Sequence, residues 1–272
     1  MTEAPNLAPD AFRGTAEAYL RGRPPYPRAL LQPLVAAAAP TQPSALLDLA
    51  CGPGRVALDL AAEFDRVLAI DLELEMIEVG RREAARRGVD NVRWFVGRAE
   101  DAEASATSFD LITVGEAFHR LDQALIVAKA REWLKPGGCL ATLGADGVLG
   151  GEAPWQHAAA TIAHRWMRRA FPNGWAQARS GAATRPDEIE RVFEAAGFVD
   201  VASRRVREEQ VWTVDAVVSH FRSMSVCSDR ALGDDAAAFE GELRSVLTPL
   251  AGGGELREEA RFGFTIGRRP PE

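Results

Sequence analysis

Short apolar runs alternate with amphipathic stretches along the first half of the chain. Residues 45–50 form an apolar run typical of a buried strand, and after a glycine turn the spacing of Val56, Leu60 and Phe64 predicts a helix. Further strands are predicted at 67–70, 92–96, 109–114 and 139–143, with helices ending near Gly88 and spanning 121–134 between them. This alternation predicts a doubly wound α/β sheet whose strands end along one edge.

The second half of the chain departs from this alternation. Its pattern predicts a helix at 184–196, helical structure across 214–247, and final strands at 198–206 and 261–266, which bring the mostly parallel sheet to seven strands. Residues 146–182 carry no strand signal, and their tryptophans Trp155, Trp166 and Trp175 suit either packing anchors or a cover over a substrate. No linker divides the chain, so we predict a single domain over residues 1–272.

The composition is that of a globular protein. Of the 272 residues, 47% are hydrophobic and 26% charged, which is enough for both a core and a wetted surface. The net charge of −7 disfavours nucleic acid or an anionic membrane as a partner. No apolar run approaches a membrane span and the acidic start is unlike a signal peptide, so the sequence predicts a cytoplasmic protein. Scattered cysteines and histidines predict neither a disulfide framework nor a metal site.

The strongest chemical signal is the segment Asp48–Arg55, which reads D-L-A-C-G-P-G-R between the first strand and its helix. Glycines there let a ligand approach the backbone, and a helix N-terminus follows at once. The dinucleotide pattern needs three spaced glycines, and only Gly52 and Gly54 fit it. No Gly-Lys-Ser/Thr follows either. The ligand therefore need not present a pyrophosphate, and a hydride-transfer enzyme is disfavoured.

Acidic residues follow the second and third strands. Asp71 ends the second strand, where a carboxylate can accept both hydroxyls of a ribose, although the residue could instead be the N-cap of the next helix. Glu100 lies in the acidic loop 97–101, where it could meet an adenine amino group or simply face solvent. The two carboxylates and the glycine turn together suggest a nucleoside ligand.

With the segments 109–112 and 134–138, these motifs resemble the class I S-adenosylmethionine-dependent methyltransferases, in the small-molecule branch typified by the methyltransferase type 11 domain. The resemblance covers residues 15–145 and implies a Rossmann-like methyltransferase fold with S-adenosyl-L-methionine as cofactor. It divides the chain into lid helices (1–40), a cofactor-binding core (41–145), and substrate-cover insertions with the last two strands (146–272). The cofactor contacts it implies are Asp48, Ala50, Cys51, Gly52, Gly54, Asp71, Leu72, Met76, Ala99, Glu100 and Gly115.

The only two tyrosines of the chain lie close together near its start. Tyr19, Arg23 and Tyr26 fall in a segment similar to the Y-x3-RP-x-YP sequence that often precedes the core in this branch. The resemblance implies that the segment helps to close the cofactor pocket, with Arg23 as a partner for the methionine carboxylate. Tyr19 and Tyr26 would contact cofactor or substrate, or would only pack a lid helix on the core.

Residues 115–122 follow the fourth strand, whose end faces the transferred methyl group in this topology. The segment keeps Ala117, His119 and Asp122 of the family pattern x-A-x-H-W-x-D but has Arg120 in place of the tryptophan. His119 has the chemistry of a general base, or it orients a ligand without moving a proton. Phe118 would wall the methyl site or belong to the core.

The resemblance implies methyl transfer to N or O of a small molecule, with a place in bacterial secondary metabolism. Two alternatives stay open: a carboxyl methyltransferase of the trans-aconitate type, which needs arginines facing the methyl group, and a cofactor-binding protein of the same fold that transfers no methyl group. The expected partner is a small-molecule methyl acceptor, with neither nucleic acid nor membrane. The sequence leaves the oligomeric state open.

Overall fold

The computed structural model describes residues 10–172 and 184–271, which leaves Trp175 outside the described residues. The chain divides into two compact units. The sheet unit comprises Pro25–Ala145, Ala183–Val206 and Phe262–Glu272, and the helical unit comprises Met1–Pro24, Asp146–Ala182 and Arg207–Arg261. The single domain expected over residues 1–272 remains a prediction.

Seven strands form one sheet in the order β3-β2-β1-β4-β5-β7-β6. The strands are β1 (Ala45–Leu49), β2 (Arg66–Asp71), β3 (Val92–Val96), β4 (Phe109–Gly115), β5 (Leu134–Ala145), β6 (Val199–Trp212) and β7 (Leu256–Arg268). The first five pair in parallel, and β7 runs antiparallel to β5. The prediction of a doubly wound, mostly parallel, seven-stranded sheet is confirmed.

The helices of the sheet unit are α2 (Arg28–Ala38), α3 (Arg55–Leu60), α4 (Leu74–Arg87), α5 (Gln123–Trp133) and α7 (Pro186–Ala195). Strand β1 is buried along its whole length, as its apolar run predicts, because helices cover both faces of a parallel sheet. Gly88 ends α4 in the left-handed conformation (φ 69°), which a glycine adopts without a side-chain penalty.

Strand β5 begins earlier than the sequence predicts. The sequence predicts a helix that ends at residue 134 and a strand that begins at 139. The structure instead places residues 134–138 inside β5 at an irregularity, where the pairing shifts between Phe109 and Leu111. Gly137 takes a positive φ of 80° there. A Cβ atom on Gly138 would lie 3.0 Å from the Asp110 carbonyl oxygen. The glycines therefore form a bulge that lets the strand resume pairing.

The helical unit contains α1 (Ala16–Gly22), α6 (Pro154–Ala170), α8 (Val214–Arg222), α9 (Asp229–Leu232) and α10 (Ala236–Leu250). The helical structure predicted across 214–247 is thus three helices, and the hydroxyls of Thr213 and Ser228 cap the first two. Trp155 and Trp212 pack in the core of this unit. Of the described helices, none is long and apolar enough to span a membrane.

Candidate functional site

The turn between β1 and α3, residues 50–54, is held in a tight backbone conformation. Ala50, Gly52 and Gly54 all have positive φ values, of 51°, 55° and 78°. The Cys51 amide donates to Ile70 O of β2 at 2.9 Å, and the Gly54 amide donates back to Cys51 O at 2.9 Å. This segment, which we name the glycine turn, therefore presents nearly bare backbone at the edge where the strands end.

Asp71 at the end of β2 is bound to the glycine turn. One of its carboxylate oxygens accepts from the Gly52 amide at 2.7 Å and the other from the Glu73 amide at 2.9 Å. Helix α4 has Glu73 at its N-cap position, so the alternative that Asp71 is the helix cap is wrong. Each oxygen of an ionised carboxylate has a second lone pair, which leaves Asp71 able to accept hydroxyl groups as well.

Opposing effects act on the pKa of the Asp71 carboxyl group. Burial raises the pKa of its carboxyl group, while the two amide hydrogen bonds and the nearby Arg120 guanidinium lower it. The negative charge of Asp71 in turn raises the pKa of Arg120, but burial of the guanidinium outweighs this and lowers it. Arg120, the departure from the family pattern, thus brings a positive charge toward the carboxylate at the end of β2.

Asp48 lies beneath the glycine turn rather than on its surface. The residue is 1% exposed, and its carboxylate accepts from the Thr113 hydroxyl at 2.7 Å and from the Ala57 amide at 3.1 Å. Burial raises its pKa to about 7, with the charge of Asp71 adding to the effect. Asp48 therefore ties β1, β4 and α3 together under the turn, and direct contact with a cofactor remains a prediction.

The loop after β3 is fastened to the segment that follows β4. Glu100 accepts from the Asp122 amide at 3.3 Å and forms an ion pair with Arg98 at 3.5 Å. The Lys129 ammonium group donates to the Glu100 and Ala102 carbonyls at 2.7 and 2.8 Å. Glu100 thus holds two loops together at the sheet edge, next to the buried Ala99, and its proposed adenine contact stays a prediction.

Apolar side chains stand exposed beside Asp71. Leu72 is 40% exposed and Val96, the register partner of Asp71 on β3, is 51% exposed. Met76, in contrast, is buried in the first turns of α4. Leu72 and Val96 are therefore two of the exposed apolar side chains near Asp71 that could cover a flat ring. Val96 was not predicted from the sequence, because a valine at the end of a strand belongs to no motif.

Tyr26 approaches the end of β4. A Cβ atom on Gly115 would lie 3.2 Å from the Tyr26 hydroxyl oxygen, so the missing side chain is what admits the phenol. The Tyr26 ring packs edge-on against Phe262 of β7, with ring centroids 6.3 Å apart. The structure thus brings two of the predicted site residues, Tyr26 and Gly115, into contact at the edge where β4 ends.

His119 lies on the short 3-10 turn Phe118–Arg120 after β4. It is half-buried, and across residues 10–172 and 184–271 its imidazole makes no hydrogen bond. Burial, helped by the positive charge of Arg120, lowers its pKa, and the charge of Glu116 opposes this. A neutral imidazole is therefore present at the sheet edge with its nitrogens available to a ligand.

The two neighbours of His119 have different surroundings. Phe118 is 4% exposed and packs edge-on against Phe193 of α7. It therefore belongs to the core of the sheet unit, one of the two roles predicted for it. Glu116 has a positive φ of 53°, which is uncommon outside glycine. Its amide donates to Leu143 O at 2.8 Å and its carboxylate accepts from the Ala145 amide at 3.0 Å, so β5 holds it in place.

Residues 46–138 match the model of a family described as a methyltransferase domain. The matched segment contains the glycine turn, Asp71 and His119. The ubiquinone biosynthesis O-methyltransferase of Chelativorans sp. (strain BNC1) is 34% identical to it over 173 residues, covering 60% of this chain and 62% of that protein. The match thus spans less than two thirds of that relative's length.

Two solved structures share the fold of this chain. The YcgJ protein of Bacillus subtilis matches with a TM-score of 0.53 and 19% identity, covering 89% of this chain and 98% of that one. Phosphoethanolamine N-methyltransferase 2 of Haemonchus contortus, solved with phosphomonomethylethanolamine and S-adenosylhomocysteine, matches with a TM-score of 0.58 and 16% identity, covering 99% of this chain and 61% of that one. At these identities the matches show a common fold.

S-adenosylmethionine is the cofactor that the sequence resemblance implies. The residues at the sheet edge fit it. The glycine turn lacks side chains that would obstruct a ligand, Asp71 keeps acceptor capacity for a ribose diol, and Leu72 presents an exposed apolar surface. The individual contacts expected for Ala50, Cys51, Gly52, Gly54, Ala99 and Gly115 remain predictions.

Tyr19 and Arg23 belong to the helical unit. The Arg23 guanidinium lies over the Tyr19 ring, 5.1 Å from its centroid, and its Nε donates to the Ser223 hydroxyl at 3.0 Å. Both contacts stay within that unit. The expected role of Arg23 at the methionine carboxylate therefore remains a prediction.

Proposed function

We propose that the protein transfers the methyl group of S-adenosylmethionine to a hydroxyl oxygen of a small molecule. The proposal rests on His119, which lies just after the end of β4 and is half-buried. Its imidazole makes no hydrogen bond to the described part of the chain. The bound cofactor supplies an electrophilic methyl group on a sulfonium. The chain must supply a place for the acceptor and a destination for its proton.

A hydroxyl acceptor loses its proton as its oxygen bonds to the methyl carbon and the carbon–sulfur bond breaks. His119 accepts that proton, because the lowered pKa keeps its imidazole neutral at physiological pH. An amine acceptor that arrives unprotonated can release its proton to water afterwards and needs no such residue. The neutral histidine therefore favours oxygen over nitrogen.

The positions of the other edge residues fit the same chemistry. Tyr26 beside Gly115 narrows the site at the end of β4, and a confined acceptor held at attack distance accounts for much of the rate in displacement reactions. The similar protein from Chelativorans is an O-methyltransferase by name, which supports an oxygen acceptor. A place in bacterial secondary metabolism remains a prediction, as does the carboxyl-methylating alternative.

Two measurements test the proposal in sequence. Calorimetric titration with S-adenosylmethionine and S-adenosylhomocysteine should show micromolar binding of both. A panel of matched phenols, primary amines and carboxylic acids, each differing only in the accepting group, should then yield S-adenosylhomocysteine in stoichiometric amount with the phenols. Turnover of the amines alone would contradict the oxygen assignment, and binding without turnover of any class would support the non-methylating alternative.

A further inference from the structure

Trp94 lies in the middle of β3, and its indole reaches under the glycine turn. A Cβ atom placed on Gly54 would lie 2.3 Å from the nearest ring carbon of Trp94. Real Cβ atoms do not approach other carbons so closely, since carbon atoms repel one another well before that distance. The indole therefore occupies the space that any side chain at Gly54 would need.

Gly80 of α4 meets the same indole from another direction. A Cβ atom there would lie 2.5 Å from a ring carbon of Trp94 and 3.1 Å from the carbonyl oxygen of Pro53 in the glycine turn. Glycine inside a helix costs about 1 kcal/mol relative to alanine, so a glycine in the middle of α4 is unfavourable by itself. Close approach of α4 to both the indole and the turn explains why this position has no side chain.

The contacts join three parts of the sheet unit that bear on the cofactor. Helix α4 begins at Leu74, shortly after Asp71, whose carboxylate accepts from the Gly52 amide. The indole of Trp94 packs against both α4 and the glycine turn, so it fixes the separation between them. Close-packed interiors transmit small displacements, and removing the ring would let the turn move relative to Asp71.

We propose that Trp94 is a positioning residue for the cofactor, acting through the glycine turn, and that Gly80 is its size-matched partner. The proposal rests on the proposed function, because it concerns the site where S-adenosylmethionine binds. The indole touches the backbone that meets the cofactor rather than the cofactor itself. A smaller side chain at position 94 would leave the fold in place and loosen the turn.

The first test compares Trp94→Leu with Trp133→Leu. Trp133 is a second tryptophan of the sheet unit and is buried, whereas Trp94 is half-buried. It lies at the junction of α5 with β5 and so at the opposite end of the sheet from the glycine turn. Both variants lose the same ring and should lose stability. At a temperature where both are folded, calorimetry should show S-adenosylhomocysteine binding weakened at least about tenfold, or about 1.4 kcal/mol, in Trp94→Leu alone. Trp94→Phe should recover part of that affinity.

The second test measures coupling between the two partners. Gly80→Ala in the wild-type chain should weaken S-adenosylhomocysteine binding, because the added methyl group pushes the indole toward Gly54. The same substitution in the Trp94→Leu chain should have a smaller effect, because the clash with the indole is gone and only the 3.1 Å approach to the Pro53 carbonyl oxygen remains. Equal losses from Gly80→Ala in both backgrounds would overturn the size-matched pairing.

The outcomes separate this inference from the function on which it rests. If wild-type protein binds S-adenosylhomocysteine and Trp94→Leu binds it equally well, the positioning role of Trp94 is wrong and the proposed function stands. If the folded wild-type protein does not bind S-adenosylhomocysteine, the proposed function fails, and the inference fails with it. A loss shared equally by Trp94→Leu and Trp133→Leu would show a general effect of destabilisation and would also overturn the inference.

Discussion

The Lys135 ammonium group lies 3.0 and 2.9 Å from the two carboxylate oxygens of Asp110, a residue that is 3% exposed. The same ammonium donates to the carbonyls of Thr41 and Pro43, and the carboxylate also accepts from the Ala45 amide. One ion pair thus joins the chain before β1 to β4 and to the bulge of β5, at the end of the sheet opposite the glycine turn.

Removing one member of this pair should destabilise the fold. In Lys135→Met the Asp110 carboxylate stays buried without its cation, which costs about 3–5 kcal/mol for a buried pair. Urea denaturation of variant and wild type measures the difference. Lys129→Met is the matched control, because the Lys129 ammonium donates to two backbone carbonyls and forms no ion pair with a described carboxylate. A loss of about 1 kcal/mol is expected there. Equal losses in the two variants would contradict the role of the ion pair.

Asp48 should make the stability depend on pH. The pKa of its carboxyl is raised by burial from 3.8 to about 7, so the folded protein resists ionising it. The folded protein therefore holds this proton more tightly than the unfolded chain does. The stability that this provides is complete below the pKa of the unfolded chain and is lost as pH rises from about 4 to about 7. Asp48→Asn removes the group and keeps an acceptor for the Ala57 amide.

The free energy of unfolding of Asp48→Asn, minus that of wild type, should therefore increase steadily as pH rises across this interval and level off above it. Urea titrations of both proteins at matched pH values provide the comparison. A difference that stays flat with pH would show that the Asp48 carboxyl titrates normally in the folded protein.

Asp71 should be needed for cofactor binding. Asp71→Ala removes the acceptor that faces the ribose site and the anchor of the Gly52 amide, and one charge-assisted hydrogen bond is worth about 1.5–3 kcal/mol, or more than about tenfold in affinity. Calorimetric titration with S-adenosylhomocysteine measures it. Asp101→Asn serves as control, since that carboxylate is exposed in the neighbouring loop, and unchanged affinity in Asp71→Ala would rule out the ribose contact.

His119→Gln should lower turnover with an oxygen acceptor by about 10²–10⁴-fold, the usual contribution of a general base, while the affinity for S-adenosylhomocysteine stays near that of wild type. In the wild-type protein, kcat/KM should decline at acid pH as His119 becomes protonated. The midpoint of this decline should lie below pH 6.5, because burial lowers the pKa of His119 from that value. Full turnover by the glutamine variant would show that His119 only orients the acceptor.

Glu116 should affect the pH dependence of kcat/KM through its charge. Its negative charge raises the pKa of His119, against burial and Arg120, so Glu116→Gln should move the acid side of the profile to lower pH. Glutamine keeps an oxygen to accept from the Ala145 amide, which preserves the turn. Glu116→Gly, which also relieves the positive φ, removes the charge as well and should give the same pH shift. An unmoved profile in both variants would exclude electrostatic action on His119.

The local patterns predicted the first four strands to within a residue or so, and they placed a turn after β1 and Asp71 at the end of β2, as observed. The roles of these residues at a cofactor remain predictions. The strands and the turn are local features, because an apolar run and a glycine pair carry their own conformational preference. The lengths of β6 and β7 and the bulge in β5 could not be predicted, since pairing with distant strands decides them. The contacts of Trp94 with Gly54 and Gly80 could not be predicted either. They form only when β3, the glycine turn and α4 pack together, so nothing local in the sequence links the two glycines to the tryptophan.

Strand β7 lies between β5 and β6 in the sheet although it comes last of the three along the chain. On the ribosome, β6 therefore emerges before β7, which lies beside it in the sheet, and residues 213–255 must be made before β7 follows. A nascent strand with an unpaired edge invites pairing with other chains. The run Arg204, Arg205, Arg207, Glu208 and Glu209 places charges along β6, which discourages such pairing while translation continues.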